Sequence, residues 1–324
     1  MTFELTRRDL VGGAAALAAL GTGMAGAQVS PGDELLRLWP GRPPGATGAT
    51  ITRKINERSH DPAHPDRWIT GIAEPALVVR RPAQPNGSAV LLVPGGGYGF
   101  LSYDNEGAEQ AAWLNARGIT AFILLYRLPA EGWENRALVP LQDAQRAMRL
   151  IRADAARFRI DPRRVAVLGF SAGGHLAGSL ATRHAEATYR PVDRADTLPA
   201  RPDLAGLVYP VVSLQAPFTH GGSRDNLLGA DASVDARRTA SVETRVTAAT
   251  PPVFLAHSSD DGTVPIANSL ALYQALLDAR RPAELHAFDE GGHGFGIRLP
   301  KGTPAAGWPD LFHAYGAQKG VFAT

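Results

Sequence analysis

Cysteine is absent from all 324 residues, which removes disulfides, thiolate zinc sites, a cysteine nucleophile and a lipoprotein anchor together. Covalent chemistry, where the chain performs it, falls to serine and histidine. Net charge is also small, at +2, and nearly all the positive charge is arginine. A uniform basic surface is not indicated, so no nucleic-acid partner is expected. Beyond the N-terminus, no run of the ~20 apolar residues that span a bilayer occurs, and the tail carries no lipidation motif. Stable membrane insertion of the mature chain is therefore not expected.

The N-terminus has its own pattern. Thr6-Arg7-Arg8-Asp9 leads into an Ala-, Gly- and Leu-rich stretch from Val11 to Leu20, and Ala25-Gly26-Ala27 supplies a small-residue cleavage site. Charged, apolar and A-x-A regions in that order describe a secretory signal, since about ten apolar residues cannot cross ~30 Å of hydrocarbon. The paired arginines point to twin-arginine export, so residues 1–27 are expected to be a signal peptide and the product periplasmic or secreted. Residues 28–324, in a chain 44% hydrophobic, suffice for one large core, and one domain is expected.

From Leu77 onward, β-rich runs alternate with helical patterns, as in a mostly parallel sheet covered by helices. The expected strands are 77–80, 89–93, 119–125, 165–169, 204–209, 253–257 and 284–288. Leu141, Ala144, Met148 and Ile151 recur at helical spacing, and further helices are expected to start near Glu106, Ala172, Ala267 and Pro309. Residues 28–70, rich in Pro, Gly and Arg, read as an extended arm without periodicity, and 213–250 as a small cap segment between two core strands.

Three loops carry candidate chemistry. The run Val165–Leu168 leads into Gly169-Phe170-Ser171-Ala172-Gly173-Gly174 and then a helical segment, which is G-x-S-x-G in its strand, turn, helix setting. Ser171 is the candidate nucleophile. A serine hydroxyl needs a base to take its proton, and that base needs a carboxylate to hold its tautomer. Downstream, Asp260-Asp261 follows one strand, and His293 sits in a glycine-flanked loop after the next, giving the chain order serine, acid, histidine. Upstream, Val93-Pro94-Gly95-Gly96-Gly97-Tyr98 ends an early strand where oxyanion donors belong, with proline in the place of the histidine of H-G-G-G. The N–H groups of Gly96, Gly97 and Ala172 are the candidate donors, each worth about 3 kcal/mol at a developing oxyanion. A phosphate loop is a poor alternative, because no Lys-Ser or Lys-Thr follows.

Other polar residues have plainer accounts. His175 is expected to pack within the helix after the elbow. His60 and His64 are four apart, but Pro62 and Pro65 forbid the helix that would align them on a metal. His220 and Arg224, in the cap segment, fit a structural loop with an arginine salt bridge, though they stand where substrate contact is conceivable. Neither metal nor organic cofactor is implied.

Together Gly169–Gly174, Asp261–Pro265, Gly291–Phe295, Pro94–Tyr98 and Leu125-Tyr126-Arg127-Leu128-Pro129 resemble secreted bacterial α/β-hydrolases of the acetyl-xylan esterase and feruloyl-esterase-like (BD-FAE-like) group. The likeness runs over roughly residues 37–320. It implies an α/β-hydrolase fold and a catalytic triad of Ser171, Asp261 and His293, with Asp261 preferred to Asp260 because D-x-x-V-P frames the acid in this group. It further implies a serine esterase acting on small-molecule or polysaccharide esters, with deacetylation of plant polysaccharide or oligosaccharide esters through an acyl-enzyme on Ser171 the expected reaction. A serine peptidase or lipase using the same triad, and a non-catalytic carbohydrate-binding relative, remain the alternatives. The proline at position 94 leaves open how the oxyanion loop is braced.

Overall fold

In the computed structural model the described residues are 33–215, 217–298 and 300–323, so the expected signal peptide lies outside them. The first elements are β1 (Glu34–Arg37), β2 (Lys54–Glu57), β3 (Arg67–Thr70), β4 (Ala76–Arg80), β5 (Gly87–Val93) and the short β6 (Leu101–Ser102). A π-helical turn, Asp104–Ala108, runs into α1 (Glu109–Asn115), followed by β7 (Thr120–Leu125), α2 (Val139–Ala153), α3 (Ala155–Phe158), β8 (Ile160–Phe170) and α4 (Ser171–Arg183). Then come β9 (Leu204–Val208), α5 (Gly221–Leu228), α6 (Val234–Ala240), β10 (Val253–Ser258), α7 (Ala267–Asp278), β11 (Ala283–Phe288) and α8 (Trp308–Gln318).

The main sheet has the order β1-β4-β7-β5-β8-β9-β10-β11. Its first two pairings are antiparallel, and every pairing from β7 to β11 is parallel. The central strands are continuous apolar runs because helices cover both faces: β7 and β9 are buried along their whole length, as is β5 from Ser88 onward. Parallel strands end on one edge, so the loops after β5, β8, β10 and β11 open on the same side, where ligands of such sheets bind.

The expected helix at 141–151 is α2, whose buried face includes Leu141, Ala144, Met148 and Ile151. Burying each of its large side chains contributes about 1.5–3 kcal/mol. Beside them lies a fully buried ion pair, Arg127 Nη2 to Asp143 Oδ1 at 2.8 Å, and Trp39 donates its indole N–H to the same carboxylate at 2.9 Å.

The arm is more regular than its sequence suggests. β1 pairs with β4 as the outer strand of the main sheet, and Arg80 meets Asp33 at 2.8 Å. β2 and β3 form a second, three-stranded sheet with β6. Each of β1, β2 and β3 is four residues long and β2 is exposed throughout, so no alternation betrays them. The segment 213–250 has no strand among its described residues and holds α5, α6 and a 3-10 turn.

Candidate active site

The elbow is built by close approach. A Cβ on Gly173 would lie 2.1 Å from the Val93 carbonyl oxygen, and one on Gly169 2.3 Å from that of Gly173, so any side chain there would force β5, β8 and α4 apart. Between them Ser171 takes φ +52°, a left-handed conformation costly for a non-glycine residue. The surrounding turn over-determines it, and the hydroxyl is held at the floor of a cleft of about 750 Å³.

The histidine comes from the loop after β11. Gly292 at φ +62° and Gly294 at φ +73° allow the chain to reverse around His293. Its Nε2 lies 2.9 Å from Ser171 Oγ, and its Nδ1 2.6 Å from Asp261 Oδ2. Asp261 is buried. Its Oδ1 accepts the N–H groups of Thr263 and Val264 at 2.9 and 2.8 Å, and its Oδ2 also meets His257 Nε2 at 3.2 Å. Burial alone would raise this carboxyl. Hydrogen bonds from His257 and His293, the His293 charge and the Val264 N–H outweigh it and hold the group well below the usual carboxylate range.

The three expected donors lie beside the hydroxyl. Gly96 and Gly97 line the cleft with Ser171, and Ala172 is the second residue of α4. Among the described residues, no backbone carbonyl accepts the N–H of Gly96 or Gly97. The bracing that Pro94 left open comes from two side chains. Tyr126 donates its hydroxyl to the Pro94 carbonyl at 2.8 Å, and Glu106 Oε2 accepts the Gly95 N–H at 2.7 Å.

Glu106 is the residue that sequence reading missed. It is buried in the π-helical turn, where an acidic residue near a helix start looks ordinary. Burial pushes its carboxyl up, opposed by the Gly95 N–H, the His293 charge and the Tyr209 hydroxyl. Tyr209 OH accepts the Gly296 N–H at 3.1 Å, and its hydroxyl helps to hold the Glu106 carboxyl down, so two interacting buried side chains stand between the oxyanion loop and the histidine loop. Asp260 also does more than face solvent: its carboxylate accepts the N–H groups of Gly291 and Gly292 at 3.3 and 2.8 Å, directly before His293.

The remaining histidines divide. His175 is buried on α4, accepting the Tyr98 hydroxyl at Nδ1 and bonded through Nε2 to the Ala240 carbonyl, each at 2.8 Å, and burial pushes it down to about 4. His60 is exposed, and His64 pairs with Asp61 at 2.8 Å in the turn between β2 and β3. Arg224 pairs with Asp225 at 2.7 Å, whereas His220 lines the cleft.

A parallel sheet with this elbow, and with acid and histidine on successive later loops, is the α/β-hydrolase fold. A profile of the BD-FAE family matches residues 79–276, more than half of the sequence, and the chain belongs to that family. A solved structure of an acetyl ester-xyloside bifunctional hydrolase from Caldicellulosiruptor lactoaceticus is similar at 33% identity and a TM-score of 0.72, covering 91% of this chain and 99% of that one. A carboxylesterase from Lactobacillus plantarum WCFS1 is similar at 25% identity and a TM-score of 0.64, covering 84% of this chain and 99% of that one. An acetylxylan esterase of Xylanibacter ruminicola is 33% identical over 225 residues, 68% of this chain, and the chain spans only 44% of that relative's length.

Proposed function

We propose that the protein is an exported serine esterase that removes acetyl groups from plant polysaccharide or oligosaccharide through an acyl-enzyme on Ser171. The observation that carries this proposal is the hydrogen-bonded chain Ser171–His293–Asp261, at 2.9 and 2.6 Å, on the floor of an open cleft. His293 Nε2 takes the hydroxyl proton as Oγ attacks the ester carbonyl, and Asp261 holds the proton on Nδ1 and stabilises the imidazolium. The Gly96, Gly97 and Ala172 N–H groups receive the oxyanion. His293 then gives its proton to the departing sugar oxygen. Water, deprotonated by the same nitrogen, releases acetate in a second round.

The acetyl and sugar assignments draw on the relatives' names and on the character of the cleft wall, where Arg58, His64, Asp66, Asn105, Asn226 and Arg298 offer partners to a polyol. Export rests on the leader at residues 1–27. The test measures acetate released from acetylated xylan and 4-nitrophenol from its acetate, with and without a serine-directed phosphonate. Wild type is expected to hydrolyse both and Ser171→Ala neither. An undiminished rate in that variant removes Ser171 from the chemistry, and amide or long-chain ester turnover exceeding acetate release replaces the substrate class.

A further inference from the structure

We propose that His220 is a substrate-contacting hydrogen-bond donor, delivering its Nε2–H to the carbonyl oxygen of the bound ester from the Gly97 flank of Ser171. This rests on the esterase proposal above and adds a fourth donor, from the cap segment, to three backbone ones.

Position comes first. His220 lines the same cleft as Ser171 and His293. Its Cε1 lies 3.8 Å from where a Cβ on Gly97 would sit and 3.3 Å from the same point on Gly222, so the ring fills space left by two glycines. Asn226, on the helix that follows, donates Nδ2–H to the Gly97 carbonyl at 2.9 Å. The ring is thereby fixed relative to one of the oxyanion donors.

Protonation follows from the cap. His220 is the N-cap of α5, and its Nδ1 accepts the Ser223 backbone N–H at 3.2 Å, with the Ser223 hydroxyl at 2.7 Å. A backbone N–H can only donate, so Nδ1 carries no proton and the neutral ring bears its hydrogen on Nε2. Among the described residues Nε2 has no hydrogen-bond partner. Burial and the nearby His293 charge hold the ring below the ordinary histidine range. It therefore stays neutral when His293 becomes imidazolium, and donates without competing for the Ser171 proton.

The test is His220→Asn, because asparagine caps a helix as well as any residue and keeps an acceptor for the Ser223 N–H, while its amide stops short of the cleft. With 4-nitrophenyl acetate and an acetylated sugar, kcat is expected to fall about tenfold or more on both, with KM within about twofold and an unchanged thermal midpoint. Nitrophenoxide departs without assistance, so a loss on both substrates places the contact at the carbonyl. Loss on the sugar ester alone moves it to the alcohol and overturns the assignment, as does an unchanged kcat on both. A wild type that hydrolyses neither ester fails the Ser171 proposal itself, a result separable from a wild type that is active and indifferent to position 220. Should His220→Asn fold poorly, a crystal structure of the wild-type phosphonate adduct decides: Nε2 within ~3.2 Å of the phosphonyl oxygen supports the contact, and a wider gap overturns it.

Discussion

Replacing Glu106 with alanine is expected to cripple acyl transfer while leaving Ser171, His293 and Asp261 chemically intact. The carboxylate accepts the Gly95 N–H at 2.7 Å and interacts with the Tyr209 hydroxyl, which accepts the Gly296 N–H. Truncation orphans the buried Gly95 N–H at ~1–3 kcal/mol of stability, reduced if water enters the void. Gly95 immediately precedes two proposed oxyanion donors. Misplacing one of them lowers kcat by about 10²–10³. Glu106→Gln keeps the volume and one acceptor, so its loss is expected to be smaller. The assay pairs urea denaturation with saturation kinetics on an aryl acetate, for Glu106→Ala, Tyr209→Phe and the double variant. Since the two buried groups interact, the double variant should lose little more than Glu106→Ala alone. Strict additivity, or a Glu106→Ala kcat within about twofold of wild type, refutes the bracing argument.

Three further outcomes are expected. Asp261→Asn leaves the shape but not the charge beneath His293, and kcat should drop by about 10⁴-fold, as measured by single-turnover kinetics. Because the Asp261 carboxyl is held low in the folded protein, its contribution to stability is complete above the unfolded value of about 4 and is lost as pH falls through the folded one. Acid denaturation of Asp261→Asn should accordingly be flatter than that of wild type, and an unaltered acid limb counts against the shift. Asp260→Ala loosens the histidine loop at an exposed site worth ~1 kcal/mol, so a fall of about fivefold in kcat with little change in melting temperature is expected, and none at all excludes the brace. Changing Arg7 and Arg8 together to lysine should leave the leader uncleaved and the protein in the cytoplasm; normal processing by mass spectrometry of a periplasmic fraction sinks the export assignment.

What could be read from sequence was whatever the sequence states locally. β5, β7, β9 and β10 lie within a few residues of their expected bounds because each is an apolar run closed by glycine, proline or a polar turn, and β11 does so with Ala283, Leu285 and Ala287 alternating with polar residues. β8 alone starts well early, at Ile160, since Asp161-Pro162-Arg163-Arg164 has no strand pattern of its own. The elbow and the glycines around His293 were legible for a similar reason: backbone geometry there restricts residue type. β2 and β3 were not, because β2 is exposed throughout, β3 fully buries Ile69 alone, and they owe their pairing to each other and to β6. Glu106 and Asp260 escaped notice because their partners are backbone N–H groups of other loops, and no spacing rule connects such partners. His220 stood out as a residue, but its tautomer depends on a cap seen only once α5 is placed.

The knot of Trp39, Asp143 and Arg127 has a practical bearing on how the mature protein can be handled. Just ahead of β1, Asp33 meets Arg80 at 2.8 Å. A shortened N-terminus that reaches past Trp39 strips the outer strand from the sheet and unplugs an indole from a buried guanidinium–carboxylate pair, so purification tags belong ahead of position 33 and truncated versions should not begin inside β1.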